Sequence, residues 1–352
     1  MENILDFTRQ ELTNWFETKG IPSFRARQVF TWLYIKQART FDEMTDLSKE
    51  MRAWMAEHFH IGDLKLEERM VSADTTEKYL FQLSDGHHIE SVLIPGKEDH
   101  FTLCVSSQVG CAMDCQFCLT AKGGFIRNLK MSEIIGQIWE ARGYLKDRGI
   151  DPLKLSNIVF MGMGEPLANY DTVVKCLDII LDTDFGMKFA TRRVTISTSG
   201  LVPKILALGE ESDVNLAVSL NAVDDETRTR LMPINKKYPL KELLAACRRF
   251  NMKPRNKITF EYILIKGVND SDDHARKLVK LLAPIRAKVN LIPFNEHPGS
   301  DFKRPSNNRV HAFLKILLDK DMTAIIRKSK GDDILAACGQ LRAKLETDSS
   351  GS

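Results

Sequence analysis

The chain has 352 residues, 43% of them hydrophobic, with 50 Lys and Arg against 47 Asp and Glu for a formal net charge of +3. That balance describes an ordinary globular protein with room for one large domain and a smaller one, not a polycation held to nucleic acid by bulk charge. The seven cysteines are odd in number and unevenly spaced, no apolar run approaches the roughly 20 residues of a membrane span, and residues 1–6 lack an export signal's pattern, so a reducing, cytoplasmic location is expected.

Residues 1–60 read as helical. Ser23 is placed to cap a segment carrying Phe24, Val29, Phe30, Trp32 and Leu33, and Ser48 one carrying Met51, Trp54 and Met55. We take this stretch as a small accessory domain, its aromatics forming a core rather than a base-stacking platform. A β-hairpin extension occupies 61–99: strands at 78–84 and 87–94 flank Asp85-Gly86, a strong hairpin signal. His87 and His88 read as exposed strand residues rather than metal ligands.

From residue 100 strands alternate with helices up to about 342. Strands are expected at 101–106, 157–161, 193–197, 215–220, 258–265, 289–293 and 323–327, and helices near 131–147, 171–182, 201–209, between 224 and 250, near 271–284 and near 307–319. Repeated βα units predict an α/β fold, a parallel sheet with helices outside, forming a partial (β/α)6 barrel rather than a closed eightfold one. A polar, flexible tail is expected at 343–352. Cys176 and Cys247 fall in helical patterns and read as packing residues.

Cys111, Cys115 and Cys118 form a C-x-x-x-C-x-x-C run just after the first strand of this series, where ligands gather in such sheets. Three thiolates with no fourth Cys or His close by can hold three irons of a cubane and leave the fourth open to a ligand. A structural zinc site wants four protein ligands and fits the triplet poorly. Three cysteines packing as small hydrophobes fit the polar, glycine-containing loop less well still. Other strands end in Gly164-Glu165, in 197–200, in 219–221 and near Asn295, so small and polar residues recur at one end of the sheet. Basic groups recur at Lys122, Arg127 and Lys130, at Lys188, Arg192 and Arg193, at Arg248, Arg249, Lys253 and Arg255, and at Arg327, Lys328 and Lys330. Gathered around one mouth they would make a phosphate-binding rim; scattered, they are solvated helix faces and loop ends.

With these residues in place the chain resembles the radical S-adenosylmethionine (SAM) enzymes, and among them the RlmN-type adenine methyltransferases of ribosomal and transfer RNA. The resemblance rests on 104–111 running into the triplet and on 161–167, 192–200, 232–238, 290–295, 327–334 and 336–341. The triplet specifies the superfamily, while Cys104 and the Ala-Ala-Cys-Gly-Gln-Leu segment around Cys338 specify the family.

The resemblance implies a 4Fe–4S cluster on Cys111, Cys115 and Cys118, and a SAM pocket lined by Gly164, Glu165, Ser197, Ser219, Leu220, Asn221 and Asn295. Asn221 stands where family members commonly have histidine. It further implies that two SAM molecules serve each turnover: one methylates Cys338, and the other yields a radical that takes hydrogen from that methyl. The methylene radical adds to carbon 2 of an adenine turned out of its stack. Cys104 is the implied candidate both to take the proton from carbon 2, with Glu90 as a possible alternative acceptor, and to resolve the adduct as a Cys104–Cys338 disulfide that a thiol reductant reopens. The implied partners are 23S rRNA and tRNA, a flavodoxin- or ferredoxin-type electron donor and no membrane, for a monomeric enzyme. Carbon-8 methylation of the Cfr kind and a non-catalytic zinc or Fe–S RNA-binding protein are the competing readings.

Overall fold

One mixed sheet of ten strands runs through the protein with every strand beside its neighbour in sequence. In chain order they are β1 (Lys65–Val71), β2 (Glu77–Gln82), β3 (His88–Pro95), β4 (Phe101–Cys104), β5 (Leu155–Phe160), β6 (Val194–Thr198), β7 (Asn215–Ser219), β8 (Ile258–Leu264), β9 (Ala287–Pro293) and β10 (Ala324–Ile326). From β4 to β10 all neighbours are parallel, whereas β1 to β4 run antiparallel. The computed structural model describes residues 1–62, 64–253 and 256–342; the tail expected at 343–352, and Arg255, lie outside the described residues. Among the described residues no helix is long and apolar enough to cross a membrane.

The helices follow the α/β rhythm. A front end of α1 (Arg9–Thr18), α2 (Phe24–Phe30) and α3 (Lys49–His58) precedes the sheet. The crossovers are α4 (Met131–Asp147), α5 (Tyr170–Leu181), α6 (Val202–Glu211), the pair α7 (Asp225–Leu231) and α8 (Leu240–Arg249), α9 (Asp272–Leu282) and α10 (Asn307–Leu318). Six βα units and a closing strand thus make the expected partial barrel.

Register fixes what faces inward. Cys104 pairs with both Val92 and Val159, Val159 with Thr195, Ser197 with Ala217, Ser219 with Glu261, and Glu261 with Asn290. Because strand side chains alternate, Glu90, Cys104, Ser197, Ser219, Glu261 and Ile292 share one face. The opposite face carries Leu103, Ile158, Ile196, Val218, Phe260 and Leu291, all buried in the apolar core.

α4 is buried almost all round, because the sheet lies on one side and the front end on the other. Gly143 admits Arg39, whose guanidinium would stand 2.2 Å from a Cβ there, and Arg39 pairs with Glu140 at 3.2 Å. Trp139 Nε1 donates to Leu33 O at 2.9 Å, and Ser132 N to Asp6 Oδ1 at 2.8 Å. Ile4, Leu5, Phe16 and Phe30 accordingly belong to the same apolar cluster as the barrel helices.

Four local expectations are corrected. Ser48 caps α3 by accepting from Met51 N, but Ser23 makes no cap: it is itself helical, and Pro22 O already accepts from Arg25 N, so the turn begins earlier. Phe24 is 46% exposed instead of joining the apolar stripe. β1 extends the hairpin to three antiparallel strands; its charged, mostly exposed sequence hides it from a hydrophobic pattern. His87 and His88 are half-buried, and His88 Nε2 meets Glu67 Oε2 at 2.6 Å.

Candidate active site

After β4 the chain forms a short antiparallel ribbon, Gln108–Gly110 against Phe125–Asn128, and the cysteine triplet is the loop between its strands. Gly110 has φ +72°, and a Cβ there would lie 1.9 Å from Gly124 O, so only glycine lets the ribbon close this tightly. Cys111 N donates to that same carbonyl at 2.8 Å, Cys118 N to Cys115 O at 3.0 Å, and Gln116 N to Leu231 O at 3.0 Å, which ties the loop to the end of α7.

The loop covers the carboxyl ends of the parallel strands and encloses with them about 820 Å3 of empty space, partly open to solvent. Cys111, Cys115 and Cys118 line it on one side and Gly164, Glu165, Ser197 and Ser219 on another, with Cys338 at its margin. Burial pushes the Cys111 thiol up to about 12, and it raises the Cys115 thiol as well, with Cys118 and then Cys111 adding to the rise. Among the described residues no three His, Cys, Asp or Glu side chains converge on one metal ion. A cubane reaches its three thiolates through three separate irons, so its ligand sulfurs need not meet at a point. Three thiols of one loop turned into one cavity fit that group.

Glu165 is buried, and burial raises its carboxyl despite opposing bonds: Ser199 N donates to Oε2 at 2.7 Å and Leu167 N to Oε1 at 3.1 Å. Gly164, at φ +97°, is packed so closely on Gln108 that a Cβ would lie 2.5 Å from its side chain. Leu220 and Asn221 do not reach the pocket wall. Leu220 is buried, and Asn221, at φ +58°, accepts from Ile263 N at 2.8 Å and donates to Met232 Sδ at 3.2 Å. The Asn221 side chain therefore braces β7 against β8. Asn295 also stays off the wall; its Nδ2 donates to Cys338 O at 3.1 Å, and it accepts from Ser329 Oγ.

Cys338 sits on a strap, residues 331–341, laid across the barrel mouth. Gly339 O accepts from Leu119 N at 2.7 Å, beside Cys118, and Leu341 O from Thr120 Oγ1 at 2.5 Å. Gln340 Nε2 donates to Glu296 O at 3.0 Å and to Asp332 Oδ1 at 2.9 Å, and Ser72 Oγ donates to Asp333 Oδ1 at 2.5 Å. Cys104 lies on the same sheet face just off the pocket wall, buried, and its thiol is raised first by burial and then by Cys338. Glu90 is buried rather than a surface carboxylate, 3.1 Å from Lys78 Nζ. Burial raises its carboxyl against the pull of Lys78 and the Arg342 backbone at the strap's end.

Two residues unremarked in the sequence belong here. Glu261 lines the pocket, with Asn290 Nδ2 donating to its Oε1 at 2.8 Å, and burial raises its carboxyl. Arg228 is fully buried, and burial lowers its guanidinium to about 10, opposed first by Cys115 and then by Asp225. Alternation along β8 offered a signal for Glu261; for Arg228 there was none, since a charge on a short helix reads as solvated. Of the basic groups, Lys122, Arg127 and Lys130 and Arg327, Lys328 and Lys330 follow carboxyl strand ends at the mouth. Those around Arg193 and Arg248 lie toward the amino ends, where Lys253 pairs with Asp213 at 3.0 Å. Cys176 and Cys247 are buried packing residues.

A partial parallel barrel with a cysteine triplet after its first strand, facing a cavity at the strand ends, defines the radical SAM class of enzyme. The radical SAM superfamily profile matches residues 105–279, and that of the ribosomal RNA large subunit methyltransferase N-terminal domain matches 2–61. The dual-specificity RNA methyltransferase RlmN of Desulfosudis oleivorans is 57% identical over 345 residues, 98% of this chain and 92% of its own length; that of Geotalea uraniireducens is 53% identical over 98% and 97%. A crystal structure of a radical SAM methyltransferase from Sphaerobacter thermophilus superposes with a TM-score of 0.91 at 44% identity, over 98% of this chain and all of that one. The chain belongs to the RlmN family of dual-specificity radical SAM RNA methyltransferases. Membership implies a 4Fe–4S cluster and SAM as cofactors, and it displaces the non-catalytic RNA-binding reading.

Proposed function

We propose that the chain methylates carbon 2 of an adenosine in 23S rRNA and in tRNA, with Cys338 sulfur as the carrier of the one-carbon unit and two SAM molecules used per turnover. The observation that supports this reading is the strap, which holds Cys338 at the margin of the pocket lined by Cys111, Cys115 and Cys118. Carbon 2 lies between two ring nitrogens and is electron-poor, so polar methyl transfer to it is unfavourable. The cofactors, when bound by the cysteine triplet and the pocket wall, supply the one-electron chemistry such a carbon accepts.

The chain's own residues carry the later steps. Cys338 sulfur bears the methylene joined to the base, and Asn295 and Leu119 fix the successive carbonyls of Cys338 and Gly339. Cys104 is the acceptor of the proton lost from carbon 2, with Glu90, on the same sheet face, as the alternative acceptor. The adduct's unpaired electron would return to the cluster when bound, leaving a closed-shell thioether; the Cys104 sulfur, as thiolate, then attacks the Cys338 sulfur, the S–S bond forms as the S–C bond breaks, and the electron pair released on carbon collects a proton to complete the methyl group. A thiol reductant then supplies two electrons to reopen the disulfide, and a flavodoxin- or ferredoxin-type protein supplies electrons to the cluster. The 1–60 segment acts as the RNA-binding part, and the enzyme works as a cytoplasmic monomer.

The test is anaerobic reconstitution with SAM, reductant and RNA, followed by chromatography and mass spectrometry of the nucleosides. 2-Methyladenosine is expected; 8-methyladenosine would replace this reading with the Cfr-like one. Cys338→Ala should abolish incorporation of the SAM methyl into protein and RNA, and Cys104→Ala should accumulate a covalent protein–RNA adduct. Full turnover by either variant would defeat the mechanism.

A further inference from the structure

Arg228 is 0% exposed, yet no carboxylate touches it among the described residues. Its Nη2 donates to Ser199 O at 2.7 Å and Ser219 O at 3.2 Å, its Nε to Leu220 O at 3.2 Å, and its Nη1 to Asn235 Oδ1 at 3.0 Å. Every partner is neutral. The nearest acid in this network is exposed Asp225, one amide away: Asn235 Nδ2 donates to Asp225 Oδ1 at 3.0 Å. Buried charges are normally paired, because an isolated ion in a low-dielectric interior is costly. A guanidinium kept inside by carbonyls alone leaves its charge open to an anion that the chain does not itself provide.

The surroundings say where that anion belongs. The carbonyls it grips are those of the strand ends whose Ser199 and Ser219 line the pocket. Its helix, α7, receives the cysteine loop through Gln116 N and Leu231 O, 3.0 Å apart. Thiolates on a cubane, and the cubane once reduced, are anionic, and net charge near a cluster is one of the levers that sets its potential.

We propose that Arg228 is the counter-charge of the iron–sulfur centre, a positioning residue that ties the ends of β6 and β7 together and makes the cluster easier to reduce. The inference rests on the assignment of Cys111, Cys115 and Cys118 as cluster ligands. Its test uses the full chain, anaerobically reconstituted without RNA or SAM, with iron content and an EPR-monitored redox titration as readouts. Arg228→Met should cut the reduced fraction about tenfold at the potential where wild type is mostly oxidised, a midpoint shift of about 59 mV for a one-electron couple. The exchange Asp225→Asn with Asn235→Asp keeps Arg228 and its bond to residue 235 but brings a carboxylate onto the guanidinium, giving up the bond that Asn235 Nδ2 donates to Asp225 O. It should lower the midpoint too, and it decides the matter if Arg228→Met does not fold. A midpoint unchanged from wild type in a folded variant with full iron content overturns the counter-charge alone. Failure of wild type to take up iron overturns the ligand assignment, and the counter-charge with it.

Discussion

Glu90 and Lys78 face each other at 3.1 Å with both side chains buried, so each depends on the other for compensation. Lys78→Met should cost about 3–5 kcal/mol in urea denaturation because it strands a carboxylate, while Lys78→Met combined with Glu90→Leu should recover most of that. Glu261 tests the pocket's effect on pH dependence. Burial holds its carboxyl above the ordinary 4.5, so the folded chain keeps a proton that the unfolded chain has already released, and stability falls as pH climbs above about 4.5. Glu261→Gln should flatten that decline in denaturation curves taken across the window; an unchanged slope would show that Glu261 does not titrate in this way. At this scale the sequence was legible where chemistry is contiguous: three cysteines in eight residues announce themselves. It was silent on Arg228, and on Asn221 as a brace between strands, because both roles depend on which neighbours the tertiary fold supplies.

Among the elements, the ribbon carrying the triplet is the most constrained. Gly110→Ala would add both a strained φ and a Cβ 1.9 Å from Gly124 O. We expect iron uptake per chain to drop several-fold, with far-UV circular dichroism close to wild type; uptake at the wild-type level would show that the ribbon does not govern the loop. The parallel strands were legible because their outer face is continuously apolar in Ile158, Ile196, Val218 and Phe260, while polar residues collect on the inner face. β1 was not, since its Leu66 and Met70 are only half-covered and its remaining residues face water. The start of α2 was misread because Pro22, rather than Ser23, opens the turn. Both misses come from short-range patterns that neighbouring structure overrides.

Across the whole molecule, apolar packing does not stop at residue 60. Ile4, Leu5 and Phe30 join Ile134, Ile138 and Trp139 in one cluster, with α4 enclosed between front end and sheet. Differential scanning calorimetry of the full chain should therefore show one transition spanning the front end and the barrel; two resolved transitions would mean that the interface on α4 contributes little. That enclosure is hard to read from composition, because a helix buried on all sides lacks the one-sided stripe that marks its partner. The strictly sequential sheet carries a consequence for biosynthesis. Each strand that leaves the ribosome finds its pairing edge already formed, so the sheet can grow vectorially during translation. Cys338 emerges after all ten strands, and the nascent protein therefore completes a cradle for inorganic assembly before the sulfur destined to work above it has been made.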